Sequence, residues 1–233
     1  MTQPKPQDRF TIGRTVGAVR ATAAAFGIYA GILGMEHGFF EMLQGNIATK
    51  GLKIMAAGFE LPFPFGHEPA MTLIPNFLAT GIVAMIIGLA IVVWSAAFVQ
   101  KKHGAKVLLL LSIALLLFGG GFGPISLLII ACIGAGRIGK PHTWNQTHLS
   151  AGLARFLAML WPWSLAAALL WAPGEFIAGQ IYHLKNDHSQ TLGNLNLVLS
   201  YPMLGLFILT LIAGFAHEIE KQEVQGVGSR KQD

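Results

Sequence analysis

VLLLLSIALLLFGGGFGPISLLIIACIGAGRI, residues 107–138, decides how this chain is folded. As one continuous helix it would be about 48 Å long, against a membrane hydrocarbon core of about 30 Å. As a hairpin it gives two short helices, roughly 105–118 and 124–138, turning at Gly119, Gly120 and Gly121. Pro124 would then stand in a first helical turn, where its missing N–H costs nothing. The competing arrangement is a single tilted helix kinked at the glycines. Charge counting separates the two. With the hairpin there are six spans and both termini share the cytoplasmic side. Lys or Arg at 5, 9, 14, 20, 101, 102, 106, 137, 140, 155, 221, 230 and 231 then face inward, and only Lys50, Lys53 and Lys185 face out. With one kinked helix the cations divide equally. Positive charge collects on the cytoplasmic side of membrane proteins, so the expectation is an all-α bundle of six transmembrane helices, five if 107–138 is one kinked helix.

The rest of the chain agrees with a membrane setting. Of its 233 residues 53% are hydrophobic and 12% charged, whereas a soluble domain carries about 25% charged residues. Apolar runs recur at Ile82–Ala97 and Leu204–Phe215, as spans require. The net charge of +5 comes from Lys and Arg at segment ends and forms no continuous patch, so it orients the chain and is no nucleic-acid footprint. The single cysteine, Cys132, excludes a disulfide framework and a thiolate metal site.

Working outward, residues 1–16 read as a disordered cytoplasmic arm, since Pro4, Pro6 and scattered charge oppose order. Residues 17–217 read as one transmembrane helical domain, and 218–233 as a polar cytoplasmic tail. Span one is expected over Gly17–Leu43 and span two over Met71–Val99. Between them Pro62, Pro64 and Pro69 exclude a long helix, leaving a loop on the membrane surface or over the bundle mouth. After a polar link at 139–155, span five starts near Phe156, and Pro173-Gly174 is expected to kink or end it. An outer turn at His183–Gln190 leads to span six over Leu192–Ala216. The location implied is a cell (inner or plasma) membrane, multi-pass, with cytoplasmic termini.

The candidate site lies in span one, AAFGIYAGILGMEHGFFEMLQ, residues 24–44. At about 100° per residue Gly27, Gly31, Gly34 and Gly38 fall on one face, a small-residue stripe that lets another helix approach closely. Glu41 lies beside that stripe and His37 one turn before it, so both should face the bundle interior, with Glu36 on the opposite side. In the six-span arrangement His67, Glu175, His183 and Asn194 reach the same outer half. Ionisable groups at membrane depth are costly and point to function.

Such a group has four uses. His37 and Glu41 with His67 or His183 would make a metal shell, and facing histidines a haem site. Glu41 and Glu175 would serve a proton or ion path. A structural lock would hydrogen-bond Glu41 or Glu175 to His37 or Asn194. No cofactor is committed. The chain lacks an HExxH motif, a phosphate loop and a Ser or Cys nucleophile with a nearby base. The leading expectation is therefore a non-enzymatic accessory, scaffold or ion- and solute-handling bundle. The alternatives are a membrane redox, metal or haem protein, and an intramembrane enzyme on a lipid-like substrate. The expected partners are the lipid bilayer and a membrane protein or second copy, with no nucleic acid.

Overall fold

The computed structural model describes residues 17–55, 69–140, 150–185 and 189–230, with the side chains of residues 172, 175, 176, 178–185, 189–200 and 222–230 outside that description. The described residues form six helices: α1 (Ala18–Leu43), α2 (Phe77–Ala97), α3 (Gly104–Leu117), α4 (Phe122–Arg137), α5 (Ala151–Lys185) and α6 (Ser189–Arg230). Two three-residue strands, β1 (Lys53–Met55) and β2 (Pro69–Met71), pair antiparallel with Ile54 opposite Ala70.

Among the described residues four helical stretches are long and apolar enough to cross a membrane: Ala18–Leu43, Phe77–Ala97, Ala151–Trp171 and Tyr201–Lys221. Their outer faces carry large apolar side chains. On α2, Ile82, Ile86, Leu89 and Val93 are all exposed and recur at helical spacing, forming a stripe that water would not tolerate and lipid would. The chain is an all-helical membrane bundle with one small β-ribbon.

Helix α1 is the centre, packed on α2, α4, α5 and α6. Its glycines explain the closest of these contacts. A Cβ on Gly31 would fall 2.8 Å from the Gly88 carbonyl oxygen, and one on Gly38 would fall 2.6 Å from that of Gly81. Both helices carry these glycines seven residues apart, so two antiparallel backbones touch twice without a side chain between them. Gly27 continues the seam against Ser95, while Gly34 faces away from it and receives Leu115 of α3.

Residues 107–138 are two antiparallel helices. Ser112 Oγ lies 3.9 Å from Cys132 Sγ, and Ala105 is the nearest neighbour of Gly136. The turn uses Gly119 and Gly121 at φ +95° and +74°, where a side chain would be strained. Pro124 is in the first turn of α4, as the hairpin requires. The helices are short, yet the hairpin follows α1 along most of its length. Gly134 sits beside Ala23, Leu115 fills the space at Gly34, and the turn reaches His37 and Glu41. Eighteen residues of α1 separate Ala23 from Glu41, about 27 Å.

The link between spans one and two adds the β-ribbon to an otherwise all-helical bundle. Three expectations about the extent of helices need correction. Helix α2 begins at Phe77 and not at Met71, because Asn76 caps it, its side chain accepting from the Ala79 N–H at 3.0 Å. Pro173-Gly174 does not end α5, which runs on to Lys185. A proline removes one N–H from the helical ladder, and in lipid the other backbone groups have no partner outside the helix, so continuing it costs less than stopping. His183 therefore lies within α5. Helix α6 extends past Ala216 to Arg230, taking most of the expected tail with it. Residues 1–16 and His67 lie outside the described residues.

Candidate functional site

The site is the end of the bundle where α1 stops. Glu41 has no solvent exposure and His37 has 7%. Both lie on the face of α1 turned toward the hairpin and α2. Glu36, from the other side of the helix, is half-buried.

What encloses Glu41 is mostly backbone. Gly119 sits directly against its carboxylate, where a Cβ would fall 2.6 Å from Oε1 and 2.6 Å from the Thr80 methyl. Gly121 sits against the imidazole, where a Cβ would fall 2.6 Å from His37 Nε2. Two glycines with positive φ thus lay the hairpin turn across the acid and the histidine, with no side chain interposed.

A second layer fixes the turn from outside. The Gly119 N–H donates to the Met71 carbonyl at 2.8 Å, and the Leu73 N–H donates to the Leu117 carbonyl at 2.9 Å. Thr72 pairs with Phe118 across this junction. The buried Thr72 and Thr80 hydroxyls hydrogen-bond to each other, and that of Thr80 also donates to the Ile74 carbonyl at 3.2 Å. The segment 45–49 folds back over the start of α2: Phe77 and Leu78 donate to the carbonyls of Ile47 and Gly45. The ribbon and these returns close the bundle mouth over Glu41.

Among the described residues neither oxygen of Glu41 has a hydrogen-bond partner. His37 and Thr80 flank the same turn without a hydrogen bond to Glu41, and the other expected members of a lock, Glu175 and Asn194, have side chains outside the described residues. A carboxyl group taken from water without a compensating partner costs several kcal/mol if charged. Uptake of a proton or cation at that point relieves this cost. A metal shell is less well provided for. Among the described residues no three His, Cys, Asp or Glu side chains gather to hold an ion. The side chains of Glu175, His183 and Asn194 lie outside the described residues, as does His67, so the expected convergence is represented by His37 and Glu41.

Sequence reasoning passed over two features. One is Thr80, a buried hydroxyl of α2 that pairs with Thr72 and whose methyl lies at the Gly119 turn. At the opposite end of the bundle, Trp161 Nε1 donates to Thr22 Oγ1 at 2.9 Å and its ring lies 4.9 Å from that of His217. Next to it Glu218 Oε1 accepts from the Val19 N–H at 3.0 Å, capping the start of α1 where acids are favoured. In sequence Glu218 opens the polar tail; in the fold His217 and Glu218 tie α1, α5 and α6 together.

Compared with known protein families, curated proteins and solved structures, the chain matches none.

Proposed function

We propose that this chain is a six-span, multi-pass protein of the inner or plasma membrane, with cytoplasmic termini, that handles a proton or another monovalent cation at Glu41. The observation that carries this reading is the Glu41 carboxyl, fully enclosed and without a hydrogen-bond partner among the described residues. A scaffold or accessory subunit has no use for such a group, and evolution toward stability alone would replace it. One carboxylate supplies one negative charge, which suits a monovalent ion. The glycine turn and ribbon above it would exclude water from the loaded site. Six crossings are supported by the charge distribution of the sequence and by the length of α1 that the hairpin accompanies. The site then belongs to the outer half of the membrane, and His37, one turn deeper on the same face, is its nearest titratable neighbour along α1.

The test is flux through proteoliposomes of the purified chain under an imposed proton or sodium gradient. Wild type should dissipate at least one of the two. Glu41→Gln should lower the rate about tenfold or more, since it keeps shape and removes the charge. Glu36→Gln should leave it unchanged. Absence of flux in wild type, or undiminished flux in Glu41→Gln, would refute the reading.

A further inference from the structure

We propose that the outer surface of the α3–α4 hairpin is a seat for an anionic glycerophospholipid, with the phosphate held between Lys106 and Arg137. The inference rests on the membrane reading above but not on the role given to Glu41.

Each helix of the hairpin carries an exposed apolar stripe that ends in a cation. On α3 the stripe is Ile113 and Leu110, ending at Lys106. On α4 it is Ile129 and Ile133, ending at Arg137. All six side chains are exposed. The two cations lie at the same end because the helices are antiparallel and Ala105 touches Gly136. They also lie on the same side. Ala105 and Gly136 face each other, and the next residue on each helix is rotated by about 100°. For antiparallel helices those two rotations carry Lys106 and Arg137 to one common side of the pair. The hairpin therefore presents a shallow apolar track, as wide as two helices, headed by two positive charges.

Charge on the hairpin and its flanking turns is of one sign, and of the carboxylates that α6 brings to this end, Glu218 is already engaged by the Val19 N–H. No Asp or Glu occurs anywhere between residues 69 and 174, so α2, α3, α4 and their turns contain no carboxylate to neutralise these cations. Lys101, Lys102 and Lys140, all exposed, add to the same end. Long basic side chains beside an apolar stripe extend their charged heads to the headgroup level while their stems lie against acyl chains. A lipid phosphate supplies the missing anion, and its chains cover the leucine and isoleucines. An acidic protein would satisfy the cations and leave the stripes uncovered.

Each Lys or Arg near an anionic membrane surface contributes about 1 kcal/mol of attraction. Removing two should weaken anionic-lipid binding about thirtyfold. The experiment is native mass spectrometry and thermal unfolding of the detergent-purified full chain, titrated with phosphatidylglycerol or phosphatidylcholine. Wild type should retain phosphatidylglycerol in preference and be stabilised by it. The double variant Lys106→Gln/Arg137→Gln should need about thirty times more of it. Lys50→Gln/Lys53→Gln, at the other end of the bundle, should behave as wild type. Equal retention of the two lipids, or an unchanged preference in the Lys106/Arg137 variant, would overturn the seat. So would displacement of phosphatidylglycerol by a stoichiometric polyglutamate peptide, which would assign the surface to an acidic protein. Extraction of the chain from membranes by alkaline carbonate would refute the membrane reading itself, a separate outcome.

Discussion

At the residue scale the account turns on Glu41, and the fold would be easier to hold together without its charge. A side chain that locks helices loses stability when its hydrogen bonds are removed. One that is enclosed without a partner gains when its charge is removed. Glu41→Met, which keeps the volume and carries no polar hydrogen-bonding group, should therefore raise the unfolding temperature in detergent, with a gain on the order of 1 kcal/mol or more, while abolishing ion handling. A Glu41→Met protein less stable than wild type would mean that the carboxyl is a structural lock. The glycines over it are constrained in the opposite sense. Gly119 and Gly121 combine positive φ with contact to Glu41 and His37, so neither position has room for a side chain.

At the scale of elements, the α1–α2 pair holds the bundle through the reciprocal contacts of Gly31 with Gly88 and Gly38 with Gly81. Leucine at Gly31 should push two backbones apart and cost about 3 kcal/mol, the upper part of the overpacking range. Gly152→Leu, where none of the described residues lies within 4 Å, should cost less than about 0.5 kcal/mol. Thermal unfolding in one detergent would compare them, and equal stability would remove the seam from the account. Gly17 is unsuitable as the neutral control, because Glu218 packs against it. Much of this was legible in the sequence. Helical periodicity alone brought Gly27, Gly31, Gly38, His37 and Glu41 to the interior, and three glycines before a proline marked the hairpin. What the sequence hid were tertiary pairings. Nothing local shows that the glycine turn lands on Glu41, that residues 53–55 pair with 69–71, or that Glu218 caps a helix 199 positions away. Gly34 shows the limit of a one-helix reading: it belongs to the stripe by angle, yet it faces Leu115 and not α2. Of the two effects expected at Pro173, a kink or an end, the end is not realised, since proline's weight as a breaker is set in water and is smaller where the helix has no solvent to release its backbone groups to.

At the scale of the whole molecule, the two ends are chemically different. One is sealed by the β-ribbon and the glycine turn over a buried acid; the other gathers Lys101, Lys102, Lys106, Arg137 and Lys140 on a stretch with no carboxylate. Such polarity is what an oriented membrane protein needs, and it places the proposed ion site and the proposed lipid seat on opposite sides of the bilayer. Both assignments depend on the hairpin crossing the membrane, so that residues before and after it lie on the same side. The measurement that tests this most directly is labelling of single cysteines by an impermeant maleimide on intact cells, in a Cys132→Ser background. We predict that Asn46→Cys, in the exposed loop at the Glu41 end, is labelled from outside, and that Asn145→Cys is labelled only after the cells are opened. Labelling of Asn145→Cys on intact cells would contradict the account.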